Sequence, residues 1–158
     1  MTPDRPLANV GVLVTRPASQ AAGFIARLKE LGAEPLLFPA LTILPPLHSD
    51  VLDAVLRQLA GYDLAIFISP TAAEWGLAAS GPWPVGTRVA AVGRGTAQSL
   101  AARGVHSILA PVEGADSEHL LALPELAEVG GKRIVIFRGE GGRELLADRL
   151  EGQVAVTG

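Results

Sequence analysis

Apolar positions along the chain fall into two alternating rhythms. Short apolar runs bounded by Gly, Pro or polar residues read as buried strands: Val10–Thr15, Glu34–Phe38, Asp63–Ile68, Arg88–Val92, Ile108–Pro111 and Ile134–Phe137. Between them the apolar spacing changes to helical. Ala21, Phe24, Ile25, Leu28 and Leu31 predict a helix over Gln20–Leu31, capped by Ser19 and stopped by Gly32. Val51, Leu52, Val55, Leu56 and Leu59 predict a second over Asp50–Leu59, with Ser49 as its cap. Shorter helices are expected from Ser69-Pro70-Thr71 to Leu77, over Ala97–Ala102, from a cap at Ser117 through Leu121, and around Leu145, Leu146 and Leu150. Strands alternating with helices at this spacing imply βαβ crossovers, and hence a parallel sheet with helices on both faces.

The rhythm breaks once. Pro39, Pro45 and Pro46 bound a stiff extended stretch with apolar residues between them, as expected of a connector between two sheets. Residues 1–38 are then an incomplete βαβ piece of one domain, 39–46 a connector and 47–152 a larger α/β domain. Residues 153–158 are expected to be a truncated return segment.

Composition narrows the functional classes. Of 158 residues, 49% are hydrophobic and only 4% aromatic, so the core must be aliphatic, which suits helices laid on a parallel sheet. The net charge of −3 without a basic block argues against a general nucleic-acid binder but leaves room for a local arginine cluster. With no cysteine, disulfides and thiolate metal sites are excluded. The N-terminus lacks an apolar signal region and no run reaches membrane-spanning length, so a soluble cytoplasmic protein is expected.

The candidate chemistry gathers at the strand ends. Thr15-Arg16, Ser69-Pro70-Thr71, Gly93-Arg94-Gly95-Thr96 and Arg138-Gly139 each place glycine, hydroxyl or guanidinium groups just before a helix. The last continues through Gly142 and Arg143. In a parallel sheet these turns share one edge, and helix starts with glycine and arginine favour anions. Familiar alternatives are missing. Gly93-x-Gly95 lacks a third glycine for a dinucleotide fingerprint, and no phosphate-binding loop of the GxxxxGK[ST] type occurs. His48, His106 and His119 have no ligand spacing and read as surface residues, Ser69 lacks a nucleophile-elbow context, and no metal or cofactor is expected.

Taken in order, VLVTRPASQA at 12–21, the proline-rich connector, DLAIFISPTAAEWG at 63–76, RVAAVGRGTAQSLAARG at 88–104, the Pro111-x-x-Gly114 loop leading to Ser117-Glu118-His119-Leu120-Leu121, and RIVIFRGEGGRELLADRL at 133–150 resemble the uroporphyrinogen-III synthase family. The resemblance implies two flavodoxin-like domains. It also implies a cofactor-free cyclisation of hydroxymethylbilane, a linear tetrapyrrole polycarboxylate, with inversion of the last ring and loss of water. Carried over onto this chain, Thr96 would orient the leaving group or a pyrrole carboxylate. Arg16, Gln20, Ser69, Thr71, Gly93, Arg94, Ser117, Arg138, Gly139, Gly142 and Arg143 would bind substrate, with Ile68-Ser69-Pro70-Thr71 where the family usually has TS-x-N, so that the usual asparagine is absent. Relative to the family the chain reads as truncated. Its first unit would pack on the second, exchange with another copy in a swapped homodimer, or stay partly exposed. A non-catalytic α/β module binding an anionic small molecule, and a dimerising structural role, are the other readings.

Overall fold

The structure is a computed structural model and describes residues 5–45, 49–139, 145–150 and 154–157. The chain divides into two compact units, Met1–Pro45 and Pro46–Gly158.

The first unit pairs two short strands in parallel, β1 (Gly11–Val14) with β2 (Glu34–Leu37), so that Leu13 lies beside Leu36. Between them runs α1 (Ala22–Glu30), preceded by a 3-10 turn over Ala18–Gln20. Ser19 therefore lies inside that turn. Pro17 precedes it with no side-chain cap, so the expected helix start at Gln20 moves to Ala22. Gly32 (φ 92°) ends the helix in the left-handed conformation that favours glycine, as expected. The core of this unit is small: Val14, Ala21, Leu28 and Ala33, with Leu7, Val12 and Ile25 against them. Phe24, assigned to the buried stripe from its spacing, is exposed and lies under the Arg16 guanidinium, 4.7 Å from ring centroid to Cζ. Leu13, Leu36 and Phe38 are also exposed, because one helix covers only one side of a two-stranded ribbon.

The second unit holds a five-stranded all-parallel sheet. Its strands are β3 (Leu64–Phe67), β4 (Arg88–Ala91), β5 (Ile108–Leu109), β6 (Ile134–Phe137) and β7 (Val154–Thr157), in spatial order β5-β4-β3-β6-β7. Residues 154–157, which the sequence reading assigns to a return segment, thus form an edge strand beside β6. Counted within the unit the order is 3-2-1-4-5. A flavodoxin sheet has the same doubly wound layers with the order 2-1-3-4-5. Pattern alone cannot separate these, since either permutation buries the same apolar runs.

Alternate residues of each strand feed two separate cores. Ala65, Phe67, Val89, Ala91, Val135 and Phe137 pack with helices α2 (Ser49–Arg57), α3 (Pro70–Ser80) and α4 (Arg94–Ala101) through Val55, Ala73 and Leu100. Leu64, Ile66, Ala90, Val92, Ile134 and Ile136 face the other way, against α5 (Ser117–Leu121), α6 (Pro124–Ala127) and α7 (Leu145–Arg149) through Leu120, Leu126 and Leu146. Helices on both faces of a parallel sheet are what the alternation predicts. Burial of both faces also explains the unbroken apolar runs in β3 and β6.

The first of these cores is keyed by an aromatic stack. Phe67 and Phe137 lie face to face, 4.6 Å between centroids and 5° from parallel, and Trp83 tilts onto Phe67 at 5.7 Å. The indole N–H donates to the Thr87 carbonyl (2.9 Å), and the buried Thr87 hydroxyl donates to the Leu59 carbonyl (2.9 Å). Helix α3 crosses this stack at Gly76, where a Cβ would stand 3.0 Å from both Phe67 Cε1 and Phe137 Cδ1. Gly76→Leu is therefore expected to destabilise by about 1–3 kcal/mol despite leucine's better helix propensity, because the excess volume meets two rings with no room to move. A thermal melt of the variant would read this as a lowered midpoint.

Candidate functional site

Because β3, β4 and β6 are mutually parallel, their carboxyl ends share one edge. The strand order reverses at β3, with β4 on one side and β6 on the other. Helix α3, leaving β3, lies on one face of the sheet, while α7, following β6, lies on the other. Successive helices departing to opposite faces leave a crevice at the carboxyl edge between those two strands, and ligands of open α/β sheets bind there. Three of the turns that the sequence marks as candidates, those after β3, β4 and β6, lie along this edge.

The turn after β3 is closed upon itself. Ser69 caps α3, its Oγ accepting the Ala72 N–H at 3.0 Å, and Pro70 at the first helical position has no N–H. Ala73 N–H bonds the Ser69 carbonyl at 3.1 Å. This helix start has little left to offer an anion; Ser69 keeps only its hydroxyl proton for donation outward. Thr71 is half-buried beside it. Ser69→Ala is expected to cost about 1 kcal/mol of stability through the lost cap. Urea denaturation would register it as a shifted midpoint with an unchanged slope.

The turn after β4 is built differently. Gly93 precedes α4 with no side-chain cap, and the first bond of the helix runs from Ala97 N–H to the Gly93 carbonyl (3.0 Å). The amides of Arg94, Gly95 and Thr96 therefore have no carbonyl partner within the helix, which leaves a concentrated donor site for anions. Arg94 is exposed above it. Gly93 itself is buried, and a Cβ there would stand 2.8 Å from that of Ala115, so the β5–α5 loop seats directly on this turn. Thr96 is 4% exposed; it faces inward more than a surface-displayed hydroxyl would.

The turn after β6 supplies the charge. Arg138 is half-buried, and its Nη1 is buried with no hydrogen-bond partner among the described residues. A buried guanidinium nitrogen without an acceptor is costly, and a carboxylate oxygen is the kind of acceptor that suits it. Gly139 follows as exposed backbone. Gly142 and Arg143 lie outside the described residues.

At the fourth turn the helix cap is Asp116, one residue earlier than expected: its Oδ1 accepts the His119 N–H at 2.9 Å. Ser117 becomes the first helical residue and is half-buried. The same Asp116 oxygen lies 2.6 Å from His119 Nδ1. The sequence reading missed this pair, whose only trace was an acidic residue three positions before a histidine at a helix start. Arg16 and Gln20 belong to the corresponding turn of the first unit, after β1. Ser69, Thr71, Gly93, Arg94, Thr96, Arg138 and Gly139 are thus gathered along the carboxyl edge of β3, β4 and β6, and Ser117 lies one strand further out. Among the described residues no cluster of His, Asp and Glu has the makings of a metal site, and no helix is long and apolar enough to cross a membrane.

Comparison with known proteins converges on one group. The family model described as uroporphyrinogen-III synthase HemD matches residues 22–157. The uroporphyrinogen-III synthases of Salmonella typhimurium and Escherichia coli are each 35% identical over 150 residues, covering 92% of this chain and 61% of their own length. That of Proteus mirabilis is 32% identical over 152 residues, covering 94% of this chain and 76% of its own. The solved uroporphyrinogen III synthase of Thermus thermophilus superposes with a TM-score of 0.52 at 23% identity, over 93% of this chain and 59% of that one, which is a likeness of fold. The chain spans about three-fifths of the length of the first two relatives. With the family model matched from the first helix to the last strand, the chain belongs to the uroporphyrinogen-III synthase family.

Proposed function

We propose that this chain acts on hydroxymethylbilane and closes it to uroporphyrinogen III, inverting the last ring and releasing water. The observation that carries the reading is the pair of anion-seeking groups on either side of β3: the uncapped start of α4 and the unpartnered Arg138 nitrogen. Two strand spacings separate β4 from β6, so these groups stand about 10 Å apart along the edge. A linear tetrapyrrole presents acetate and propionate groups over such distances. Gripping two or more of them holds the chain of rings in a curve.

Loss of the terminal hydroxyl leaves a delocalised azafulvenium cation that reacts without further activation. The task left to the protein is to bring the inverted ring position within reach of that carbon, which is control by proximity and orientation. Ser69 and Thr71 offer hydroxyl contacts beside Arg138 and Gly139, and Gly93, Arg94 and Thr96 form the opposite grip, with Ser117 beyond. Arg16 and Gln20 are assigned to the same substrate class, as are Gly142 and Arg143. No cofactor or metal enters this scheme, and the cytoplasm is its expected setting.

The test is the isomer ratio of cyclised product when hydroxymethylbilane is generated enzymatically with and without this protein. Enrichment of type III over the spontaneous type I isomer is the expected result. Type I alone, alongside saturable binding of the bilane, would replace catalysis with a non-catalytic polycarboxylate-binding role.

A further inference from the structure

The geometry points to His119, oriented by Asp116, as the group that protonates the departing hydroxyl of the bilane; this deepens the proposed cyclisation and rests on it. Helix α5 begins at the carboxyl edge of the sheet, and its cap residue Asp116 does two things at once. Its Oδ1 accepts the backbone N–H of His119 (2.9 Å) and lies 2.6 Å from the ring Nδ1. A carboxylate on Nδ1 holds a proton there and turns Nε2 outward as the reactive nitrogen. The ring is held from a second side by Gly114. That residue has φ 77°, and a Cβ placed on it would collide with the imidazole, so the ring lies against bare backbone. Fixed at two points, the side chain is nonetheless 52% exposed. An imidazole that is oriented but open to solvent differs from one used to fill a core.

Its place on the edge fits the substrate. The loop carrying the pair seats on Gly93 through Ala115, against the uncapped start of α4. From β5 to β6 is three strand spacings, so the loop lies about 14 Å along the edge from Arg138. A bilane with one carboxylate on Arg138 and others at α4 carries its far terminus toward the β5–α5 loop. Of the described side chains at this edge of the second unit, His119 is the one imidazole, the side-chain type that most often serves as a general acid. The other ionisable groups on its loop and helix are the carboxyls of Glu113, Asp116 and Glu118. Tyr62 and His106 lie at the opposite, amino-terminal ends of β3 and β5.

Imidazolium Nε2–H passes its proton to the hydroxymethyl oxygen while the C–O bond breaks. Oxygen leaves as water, and the pyrrole electron pair moves in to form the azafulvenium. The electrophilic carbon then bonds the substituted α-carbon of the last pyrrole, the bridge bond at that carbon breaks to leave a second azafulvenium, and the freed bridge carbon bonds the ring's other α-carbon. The proton on that carbon passes to solvent water, which restores the aromatic ring, and solvent reprotonates the imidazole.

His119→Gln, measured on the full chain with enzymatically generated hydroxymethylbilane, is expected to lower kcat about 100-fold, the common scale for a lost general acid, while KM changes less than about two-fold. The decisive control is a bilane ending in an acetoxymethyl group, whose acetate leaves without being protonated. His119→Gln and the parent chain should turn that substrate over at equal rates. Asp116→Asn, which still caps α5, should lower kcat on the hydroxymethyl substrate by about ten-fold at unchanged thermal midpoint. Unchanged kcat in His119→Gln, or an equal loss on both substrates, would overturn the assignment with the cyclisation intact. A parent chain that enriches no type III product would overturn the cyclisation and the assignment together.

Discussion

Phe67→Ala is expected to remove about 4 kcal/mol of stability, the largest effect of any single truncation in this fold. Phe67 is fully buried and is the largest such side chain among the described residues. Its ring closes the stack with Phe137 and supports Trp83, so alanine leaves a cavity bounded by two aromatic faces and by Gly76. None of these can collapse into the gap: β6 is fixed by its pairing with β3, and Trp83 is tied by its indole N–H to Thr87. A domain of this size has about 5–15 kcal/mol in total, so the variant would be close to the unfolding threshold at physiological temperature. Urea denaturation followed by tryptophan fluorescence checks it, since Trp83 reports from the cavity wall. A loss below about 1 kcal/mol would mean that the stack is not the key of this core. The consequence reaches function, because the strand residue next to Ile68-Ser69 sets where α3 begins.

Arg138→Met should separate stability from binding. In the free protein the buried Nη1 lacks an acceptor among the described residues, so exchanging it for an apolar group of similar length removes a desolvation penalty of about 1–3 kcal/mol. The thermal midpoint is therefore expected to hold or rise. Substrate affinity should move the other way. A charge-assisted bond to a carboxylate is worth about 1.5–3 kcal/mol, which corresponds to a roughly 10- to 150-fold weaker grip on the bilane. Arg94→Met offers the comparison: its side chain is exposed, so the same change should weaken binding only a few-fold with little effect on stability. A destabilised Arg138→Met with unaltered KM would assign that arginine to the scaffold.

Under the proposed function, loss of the hydroxyl gives an intermediate that cyclises unaided, so what remains for the protein after that step is selection of the product. Choice of the attacked position is a matter of where the ends of a flexible chain are held. Donors fixed to strand ends and helix starts are well suited to this, because the sheet sets their separations to the strand spacing.

Much of the architecture is legible along the chain. β3, β4 and β6 fall within the runs Asp63–Ile68, Arg88–Val92 and Ile134–Phe137 because strands buried on both faces must be apolar at nearly every position, which leaves an unbroken signal. The turns after them are equally visible, since glycine, proline and hydroxyl residues mark where a strand gives way to a helix. Tertiary structure alone decided the rest. Strand order follows from which helix covers which face, so the crevice between β3 and β6 could not be located from local pattern. Phe24 keeps helical spacing yet stays in solvent, because spacing names a face and not what lies against it. The two similar-looking turns at Ser69 and Gly93 separate into a closed helix start and an open one, because a single side-chain hydroxyl either reaches its amide or is absent. Asp116 and His119 read as ordinary surface residues until one helical turn brings carboxylate and imidazole within 2.6 Å. Residue type and period determine the elements; burial, pairing and the direction of each side chain, which depend on the whole packed chain, determine which of them can do chemistry.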